Sequence, residues 1–514
     1  MLLKPWFFLA ILFGSCLGLT ACAGLPPNHD RVASVAWSQP EKTRLGQLVA
    51  VHARQHPRQS GFSLVGSGKA AFNDRIAMVE LAEKTLDLQY YIWEEDSTGL
   101  LLAEHLLKAA DRGVRVRILL DDNNMAKRDQ SIARLDAHPN LEIRMANPFA
   151  NRRNHLLSFI TDFRRVNHRM HNKSMIVDGA LGIVGGRNIG DDYFEVDEQA
   201  NFRDMDLLAA GPIVQELNRS FDYLWNGTWS YPISRLVKSP VTQADLVQAR
   251  LRIKTYLAQH PYPHPLNKEV RQLVRRINQV LTQLVWAKGR VIDNDPVSLA
   301  KQGRGEISHA LTNKLPSLKQ ELLIESAYFV GTKAGVEEAR KLIRQGVRIR
   351  VLTNSLASND VLAAHAGYTR WRDDLLKAGV EIYELRPDSK GALLNQLLNQ
   401  GDSTASLHTK AFAFDKKAVF IGSFNLDPRS ENINTEIGIY VESPELARRL
   451  IAFMDEGVQP KVAWKLVLND QQQLRWLETD QHGLLHEHDR EPMTSFWQRL
   501  FSGLISVLPI ESQL

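Results

Sequence analysis

Cysteine is almost absent from this sequence. Its 514 residues include only Cys16 and Cys22, which both stand near the amino terminus. The rest of the chain therefore has no disulfide framework, no thiolate chemistry and no metal site built from cysteine. A strong charge of either sign is missing too, since the formal net charge is +5. Such a small bias permits an anionic partner, either lipid or nucleic acid, without choosing between them.

The first 22 residues have the pattern of a targeting segment. An early lysine precedes an apolar run from Trp6 to Leu19, and small residues follow. The tetrapeptide Leu19-Thr20-Ala21-Cys22 is similar to a bacterial lipobox, which implies cleavage before Cys22 and lipidation of its thiol. An uncleaved membrane anchor is the alternative. By analogy with bacterial lipoproteins, Ala23 favours a periplasm-facing protein of the outer membrane over one of the inner membrane.

One histidine-containing motif occurs twice in the remaining sequence. A lysine, an aspartate and an asparagine follow the histidine by two, seven and seventeen residues, and both copies keep these offsets. The first copy comprises His171, Lys173, Asp178 and Asn188, and the second comprises His408, Lys410, Asp415 and Asn425. Because a glycine-containing approach to the asparagine is also repeated, chance is a poor explanation.

Each copy has the pattern of a β-hairpin. His171 and Lys173 are two apart in the apolar, β-branched run 170–177, so they share one face of a predicted strand. The dipeptide Asp178-Gly179 predicts the turn, and residues 180–184 predict the return strand. Two imidazoles, two ammonium groups and two carboxamides can therefore converge if the two halves of the chain pack face to face.

This set of side chains suits a phosphate diester. Ammonium and amide groups stabilise the non-bridging oxygens, a neutral histidine attacks phosphorus, and a protonated histidine gives a proton to the leaving oxygen. The sequence shows no Asp, Glu or His cluster with metal-ligand spacing beside the motifs. We therefore predict a site without a metal or another cofactor.

The repeat extends well beyond the motifs. Gly113-Val-Arg-Val-Arg reappears as Gly346-Val-Arg-Ile-Arg, and the offset between the copies stays near 233–237 residues. Helical and β-rich patterns alternate in the order of βαβ units. We predict an α/β protein with two duplicated lobes, each a mixed β-sheet flanked by helices, packed face to face around one active site.

The duplicated HxK(x4)D(x6)G(G/S)xN pattern resembles the phospholipase D superfamily. Residues 185–190 and 425–430 resemble its bacterial cardiolipin-synthase branch, nearest the C type. The resemblance covers about residues 60–514 and implies metal-independent chemistry. The predicted organisation is a signal peptide (1–22), a tether with a short helix (23–62), lobe 1 (63–239), a helical connector (240–312), lobe 2 (313–460), and a C-terminal hairpin with an amphipathic helix (461–514).

An acidic residue opens a strand at matching positions of the two lobes. Asp204 and Glu436 each stand eight residues before a proline. The resemblance implies that each carboxylate hydrogen-bonds an imidazole and fixes its tautomer. An ordinary acid at a strand end is the alternative, and Asp206 is a rival for the role of Asp204.

The other motif residues receive different predicted roles. The six residues of the HxK(x4)D motifs form the candidate catalytic set, but Asp178 and Asp415 lie in the hairpin turns, where we expect them to hold the turn. Asn188 and Asn425 are predicted to bind the phosphoryl group together with the lysines. Arg187 either binds a second lipid or belongs to a structural ion pair.

Two amphipathic segments have alternative interpretations. Residues 147–169 interleave arginines with apolar residues, which indicates a loop that meets an anionic membrane or covers substrate, or else a solvated helix. Residues 494–508 place apolar side chains on one helical stripe, for which docking on the protein's own core is favoured over a bilayer.

The resemblance implies a phosphatidyltransferase that makes cardiolipin from phosphatidylglycerol and a second phospholipid, with phosphatidylethanolamine as one candidate donor. One histidine forms a phosphohistidine and the other acts as acid and base. His171 is assigned to the first role and His408 to the second, but the sequence does not decide between this assignment and the reverse. The expected partners are membrane phospholipids and the membrane surface. The alternatives are a hydrolytic phospholipase D, a secreted nuclease and a non-catalytic membrane scaffold. The nuclease is disfavoured because no long basic stripe with stacking aromatics occurs.

Overall fold

The computed structural model describes residues 24–152, 154–197, 199–266, 269–389, 404–480, 482–508 and 513. The predicted signal peptide and its Cys22 lie outside the described residues. Within the described ranges, no helix combines the length and the apolar character that crossing a bilayer requires.

Lobe 1 alternates strands and helices. Its strands are β1 (Ser60–Val65), β2 (Thr85–Tyr90), β3 (Arg115–Asp121), β4 (Leu141–Ala146), β5 (Ser174–Val177), β6 (Leu181–Gly185), β7 (Ala200–Arg203), β8 (Asp206–Ala210) and β9 (Ser230–Pro232). Its helices are α1 (Arg44–Ala53), α2 (Gly68–Leu81), α3 (Ser97–Asp111), α4 (Asp129–Asp136), α5 (His155–Thr161), α6 (Phe163–Val166) and α7 (Ile213–Asn226).

The connector, lobe 2 and the C-terminal segment follow. The connector holds α8 (Gln243–Gln259), α9 (Val270–Thr282), β10 (Val285–Asp293), α10 (Pro296–Gln302) and α11 (Glu306–Thr312). Lobe 2 holds β11 (Glu321–Ser326), α12 (Lys333–Arg344), β12 (Arg348–Asn354), α13 (Leu362–Ala378), β13 (Glu381–Leu385), β14 (Thr404–Leu407), β15 (Lys410–Phe414), β16 (Ala418–Gly422), α14 (Pro428–Asn432), β17 (Ile437–Glu442) and α15 (Pro444–Gly457). The last elements are β18 (Ala463–Leu468), β19 (Leu474–Thr479), β20 (Leu485–His488) and α16 (Phe496–Ser506).

Both lobes contain the same series of six strands. The order is β4–β3–β2–β5–β6–β8 in lobe 1 and β13–β12–β11–β15–β16–β17 in lobe 2. The first three strands of each series are parallel, and the later ones pair antiparallel. This repetition confirms the predicted α/β fold with two mixed sheets.

The local sequence explains where matching helices end. Helices α3 and α12 both stop before a glycine, and Gly113 and Gly346 adopt φ angles of +88° and +86°. Left-handed backbone of this kind carries no side-chain penalty in glycine, so the chain can turn directly into the next strand. The repeated Gly-Val-Arg pattern therefore marks the same helix-to-strand junction in both lobes.

Strand β10 joins the two sheets into one. Ser60 of β1 faces Ala287, and Lys288 faces Glu442 of β17. The connector predicted to be helical therefore contains a strand at residues 285–293 between its helices. These residues cover the edges of β1 and β17, and an unpaired strand edge would leave a row of backbone groups without partners.

The two lobes meet across a shared apolar core. Leu207 and Ala209 of β8 belong to the same buried cluster as Ile421 and Ile439 of lobe 2. Strands β7 and β14 form a separate parallel pair that also crosses between the lobes. The face-to-face packing expected from the duplication is therefore present.

The segment predicted as a tether lies against lobe 1. The Asn28 side chain donates to the Ser230 carbonyl at 2.8 Å, and the Ala36 amide donates to Asp222 at 2.8 Å. Strand β1 also begins at Ser60, inside the predicted tether. The predicted short helix is present as α1, but Asn28 and Ala36 are hydrogen-bonded to lobe 1, so this part of the segment is not a free tether.

Two apolar surfaces remain exposed. In α5, α6 and the residue between them, the exposed side chains are Leu156, Leu157, Ile160 and Phe163. In and after α16 they are Phe496, Trp497, Leu500, Phe501, Leu504, Val507 and Leu508. The favoured prediction for the C-terminal stripe was wrong, because the helix buries Ser502 and turns its apolar face to solvent.

Candidate active site

The backbone segment that carries each motif histidine pairs with the opposite lobe. The His171 amide donates to the Thr435 carbonyl at 2.9 Å, and the His408 amide donates to the Arg203 carbonyl at 2.8 Å. Thr435 and Arg203 directly precede the two acidic residues, Glu436 and Asp204. This pairing also explains why β5 begins four residues later than the predicted strand.

Each histidine accordingly meets a carboxylate of the other lobe. His171 Nδ1 lies 2.9 Å from both Glu436 oxygens, and His408 Nδ1 lies 2.8 Å from Asp204 Oδ2. All four side chains are buried. An Nδ1–H that donates to the carboxylate leaves Nε2 of each ring available for chemistry.

The two pairs are not equivalent. Glu436 accepts hydrogen bonds from the hydroxyls of Ser423 and Ser430, the latter at 2.8 Å. Gly186 occupies the position of Ser423 in lobe 1, and a Cβ there would meet the Asp204 carboxylate. The Asp204 carboxylate instead accepts the Met205 amide at 2.7 Å. The difference between Gly186 and Ser423 can be read from the two motif copies, whereas nothing in them indicates the role of Ser430.

Burial depresses the basicity of both imidazoles. Burial lowers the pKa of His171 to about 4, although Glu436 opposes this effect. Burial and the charges of Lys410 and Lys173 hold the pKa of His408 well below its ordinary value. Burial also raises the pKa of the Asp204 carboxyl to about 6. Both rings are therefore neutral near pH 7 before an anion binds.

The two lysines are held in the same way. Lys173 Nζ donates to the His171 carbonyl and Lys410 Nζ to the His408 carbonyl, each at 2.6 Å. Burial lowers the pKa of Lys410 to about 8 and that of Lys173 well below its ordinary value. Each ammonium group keeps further N–H donors for an anion, and an anionic ligand would restore the charged form.

The motif aspartates hold loops away from the histidines. Asp178 accepts the backbone amides of residues 83–85, and Asp415 accepts those of residues 319–321. Both lie at the ends of β5 and β15 opposite to the histidines and have positive φ angles, +53° and +50°. Their inclusion in the candidate catalytic set was wrong, while the expectation that they hold the turns was correct.

Arg187 is a structural residue. Its guanidinium is fully buried, donates to the carbonyls of Val65 and Asp204, and lies 3.3 Å from Asp206. Asp206 also pairs with Arg75 at 3.0 Å, so it does not contact His408 in place of Asp204. The prediction that Arg187 binds substrate was wrong, because all of its donors face the protein.

The two motif asparagines differ in their partners. Asn188 accepts the Ile92 amide at 3.1 Å and donates to the Tyr193 hydroxyl at 2.9 Å. The Asn425 Oδ1 is buried without a hydrogen-bond partner among the described residues. Asn425 is therefore the freer of the two to bind substrate, and Asn188 positions Tyr193.

Three aromatic residues that the two motifs did not indicate also line the site. The Tyr91 ring lies 4.9 Å from the His171 ring, and the Tyr193 and Phe202 rings each lie 5.1 Å from the His408 ring. A signal for Tyr91 was present, since Tyr328 stands 237 residues later, at the offset of the histidines. Among the residues that the structure describes, no group of three His, Cys, Asp or Glu is placed to hold a metal ion.

This fold and these two histidine–carboxylate contacts between the lobes define the class of two-lobed phospholipase D-like proteins. The family model described as "Cardiolipin synthase, PLD-like domain" matches residues 76–225 and again residues 311–457. The chain belongs to this family of cardiolipin synthase-type phospholipase D-like proteins, as its motifs predicted.

Three known proteins illustrate the likeness. Cardiolipin synthase C of Escherichia coli is 41% identical over 91% of this chain and 99% of its own length. An uncharacterized protein of Helicobacter pylori is 32% identical over 98% of this chain and 99% of its own length. The crystal structure of phosphatidylserine synthase from Haemophilus influenzae covers 91% of this chain and 100% of its own, with 13% identity and a TM-score of 0.56. That last likeness concerns the fold alone.

Proposed function

We propose that this protein is a phosphatidyltransferase that makes cardiolipin from phosphatidylglycerol and a second phospholipid. The observation that carries the proposal is the pair of imidazoles, each held by a carboxylate of the opposite lobe. The amide of each histidine also donates to a carbonyl of the opposite lobe, which supports a single site shared by the two halves. The likeness to a cardiolipin synthase over nearly the whole chain supports this choice of lipid substrates.

In the first step, Nε2 of His171 attacks the phosphorus of the donor lipid. The bond from phosphorus to the headgroup oxygen breaks, and His408 gives that oxygen a proton. His171 suits the nucleophile because Glu436, fixed by Ser423 and Ser430, stabilises the positive charge that develops on the ring. The anionic diester raises the pKa of His408, which allows this ring to hold the proton.

In the second step, His408 takes a proton from a hydroxyl of phosphatidylglycerol. The resulting oxygen attacks phosphorus, the bond to His171 Nε2 breaks, and cardiolipin leaves the site. The ammonium groups of Lys173 and Lys410 and the amide of Asn425 stabilise the phosphoryl oxygens in both steps. Water in place of the acceptor would give phosphatidic acid.

Labelled phosphatidylglycerol, with and without phosphatidylethanolamine, tests this proposal. We expect cardiolipin, no nicking of plasmid DNA, and unchanged turnover in the presence of a chelator. His171→Ala and His408→Ala should each abolish turnover, and rapid-quench experiments should detect a labelled phosphatidyl-enzyme in the wild type but not in the His171 variant. Phosphatidic acid as the sole product would instead establish a hydrolase.

The two exposed apolar surfaces extend the proposal to the membrane. Asn167, directly after α6, donates to the Gln513 side chain at 2.8 Å, and Arg429 donates to the Asn167 side chain at 2.9 Å. We propose that these two surfaces, together the apolar rim, rest on the lipid surface from which substrates enter.

A lipid anchor at Cys22 is the further proposal for localisation. The support is the sequence Leu19-Thr20-Ala21-Cys22, with Ala23 favouring an outer-membrane, periplasm-facing position. Metabolic labelling with palmitate and fractionation of the membranes test it. Cys22→Ala should lose the label, and a labelled Cys22→Ala protein would refute anchoring at this residue.

A further inference from the structure

Lobe 1 contains a large apolar cavity that the proposed chemistry does not use. Its volume is about 360 Å³. Strands β3 and β4 form its floor through Ile118 and Ile143, α3 and α4 form its walls, and α8 covers it through Ala249 and Ile253. This volume falls in the range of small-molecule pockets, roughly 300–1,000 Å³, and is more than twice the cavity of about 150 Å³ that holds benzene.

The cavity arises from a difference between the two duplicated lobes. In lobe 2, α13 has 17 residues and packs directly on α12. Its counterpart α4 in lobe 1 has only 8 residues, so it is shorter by about 13 Å at 1.5 Å per residue. The connector helix α8 packs across both α3 and α4 and roofs the space that α4 leaves open. Without an occupant, the lining side chains forfeit dispersion contacts.

One side of this cavity, at Trp93, lies near the candidate active site. Trp93, Glu94 and Arg128 line it, and Arg128 lies 2.6 Å from the Glu94 carboxylate. Trp93 is two residues from Tyr91, which spans at most about 7 Å of chain, and the Tyr91 ring lies 4.9 Å from the His171 ring. Glu94 and Arg128 therefore stand on the side of the cavity nearest the active site, and strands β3 and β4 line it with apolar side chains.

We propose that this cavity binds one acyl chain of the phosphatidyl group that His171 carries. The inference rests on the proposed function and adds a lipid-chain site to it. An acyl chain matches an apolar cavity near the phosphoryl site, and a cavity of this size accounts for one chain of the donor. The cavity lies where α4 is shorter than its counterpart α13, so the duplicated lobes differ here as well as at Ser423 and Gly186.

Two substitutions on α8 test the proposal in the full-length protein. Ala249→Trp fills the cavity from its roof, and Leu251→Trp is the matched control because Leu251 is 55% exposed on the same helix. The substrates are phosphatidylglycerol with six-carbon chains and with sixteen-carbon chains, both presented in detergent micelles. We expect Ala249→Trp to lower kcat/KM for the long chains about tenfold relative to the short chains, and Leu251→Trp to keep the wild-type ratio.

The possible outcomes distinguish a failure of the acyl-chain site from a failure of the proposed function. An unchanged chain-length ratio in a folded Ala249→Trp protein overturns the acyl-chain site, whereas absence of turnover of either substrate by the wild type overturns the proposed function. If Ala249→Trp melts at a much lower temperature, Ile253→Ala decides, because it enlarges the cavity. That variant should shift the preference toward longer chains, and an unshifted preference refutes the site.

Discussion

Replacing Glu436 by glutamine tests whether its carboxylate stabilises the charge that develops on His171. The substitution keeps the size of the side chain and one oxygen acceptor. Both Glu436 oxygens lie 2.9 Å from His171 Nδ1. At this distance and an effective dielectric constant of about 20, a carboxylate and an imidazolium attract by about 6 kcal/mol. Charge-assisted hydrogen bonds are roughly twice as strong as neutral ones, so we expect a loss of about 3 kcal/mol.

This loss should appear in kcat, which we expect to fall about 10²-fold. Burial lowers the pKa of His171 to about 4, so the ring is neutral when substrate binds. The carboxylate therefore acts mainly after attack begins, and KM should change little. The measurement is the steady-state conversion of labelled phosphatidylglycerol to cardiolipin near neutral pH.

The matched control is Glu442→Gln, because Glu442 is exposed at the far end of the same strand, β17. It should keep wild-type turnover. Thermal unfolding of both variants shows whether any loss reflects folding. A folded Glu436→Gln protein with turnover within about threefold of wild type, that is less than about 0.7 kcal/mol, would refute the proposed role of this carboxylate.

Three further outcomes can be measured. Ser423→Ala removes one hydroxyl that fixes Glu436, so kcat should fall about fivefold, as expected for roughly 1 kcal/mol; an unchanged kcat would contradict this role. Burial raises the pKa of Asp204 to about 6 and lowers that of Lys410 to about 8. As pH increases, kcat/KM should therefore rise near pH 6, where the Asp204 carboxylate ionises, and fall above pH 8, where the Lys410 ammonium loses its proton. A flat pH profile would argue against both assignments. Trp497→Glu should lower turnover on vesicles about tenfold but should not lower it on dispersed short-chain lipid. Gln498→Glu adds the same charge to α16 and should have no effect. Equal turnover of both variants on vesicles would show that the apolar rim does not contact the membrane.

The amino-acid sequence by itself determined the chemistry and the repetition. The motif spacing indicated which histidines and lysines belong together, and the glycine-marked helix ends located equivalent elements in the two lobes. These features depend on neighbouring residues, since strand alternation and turn residues act over only a few positions of the chain. For the same reason, the sequence placed Asp178 and Asp415 correctly in their hairpin turns.

Only the tertiary structure decided how distant segments combine. It assigned Glu436 to His171 and Asp204 to His408 across the lobes, directed every donor of Arg187 into the protein, and left the apolar face of α16 exposed. The role of β10, which pairs with both β1 and β17 and so joins the two sheets, is likewise visible only in the folded protein. Each of these outcomes depends on segments far apart in the chain, whose contacts no local pattern records, because packing and hydrogen-bond satisfaction are settled by the whole fold.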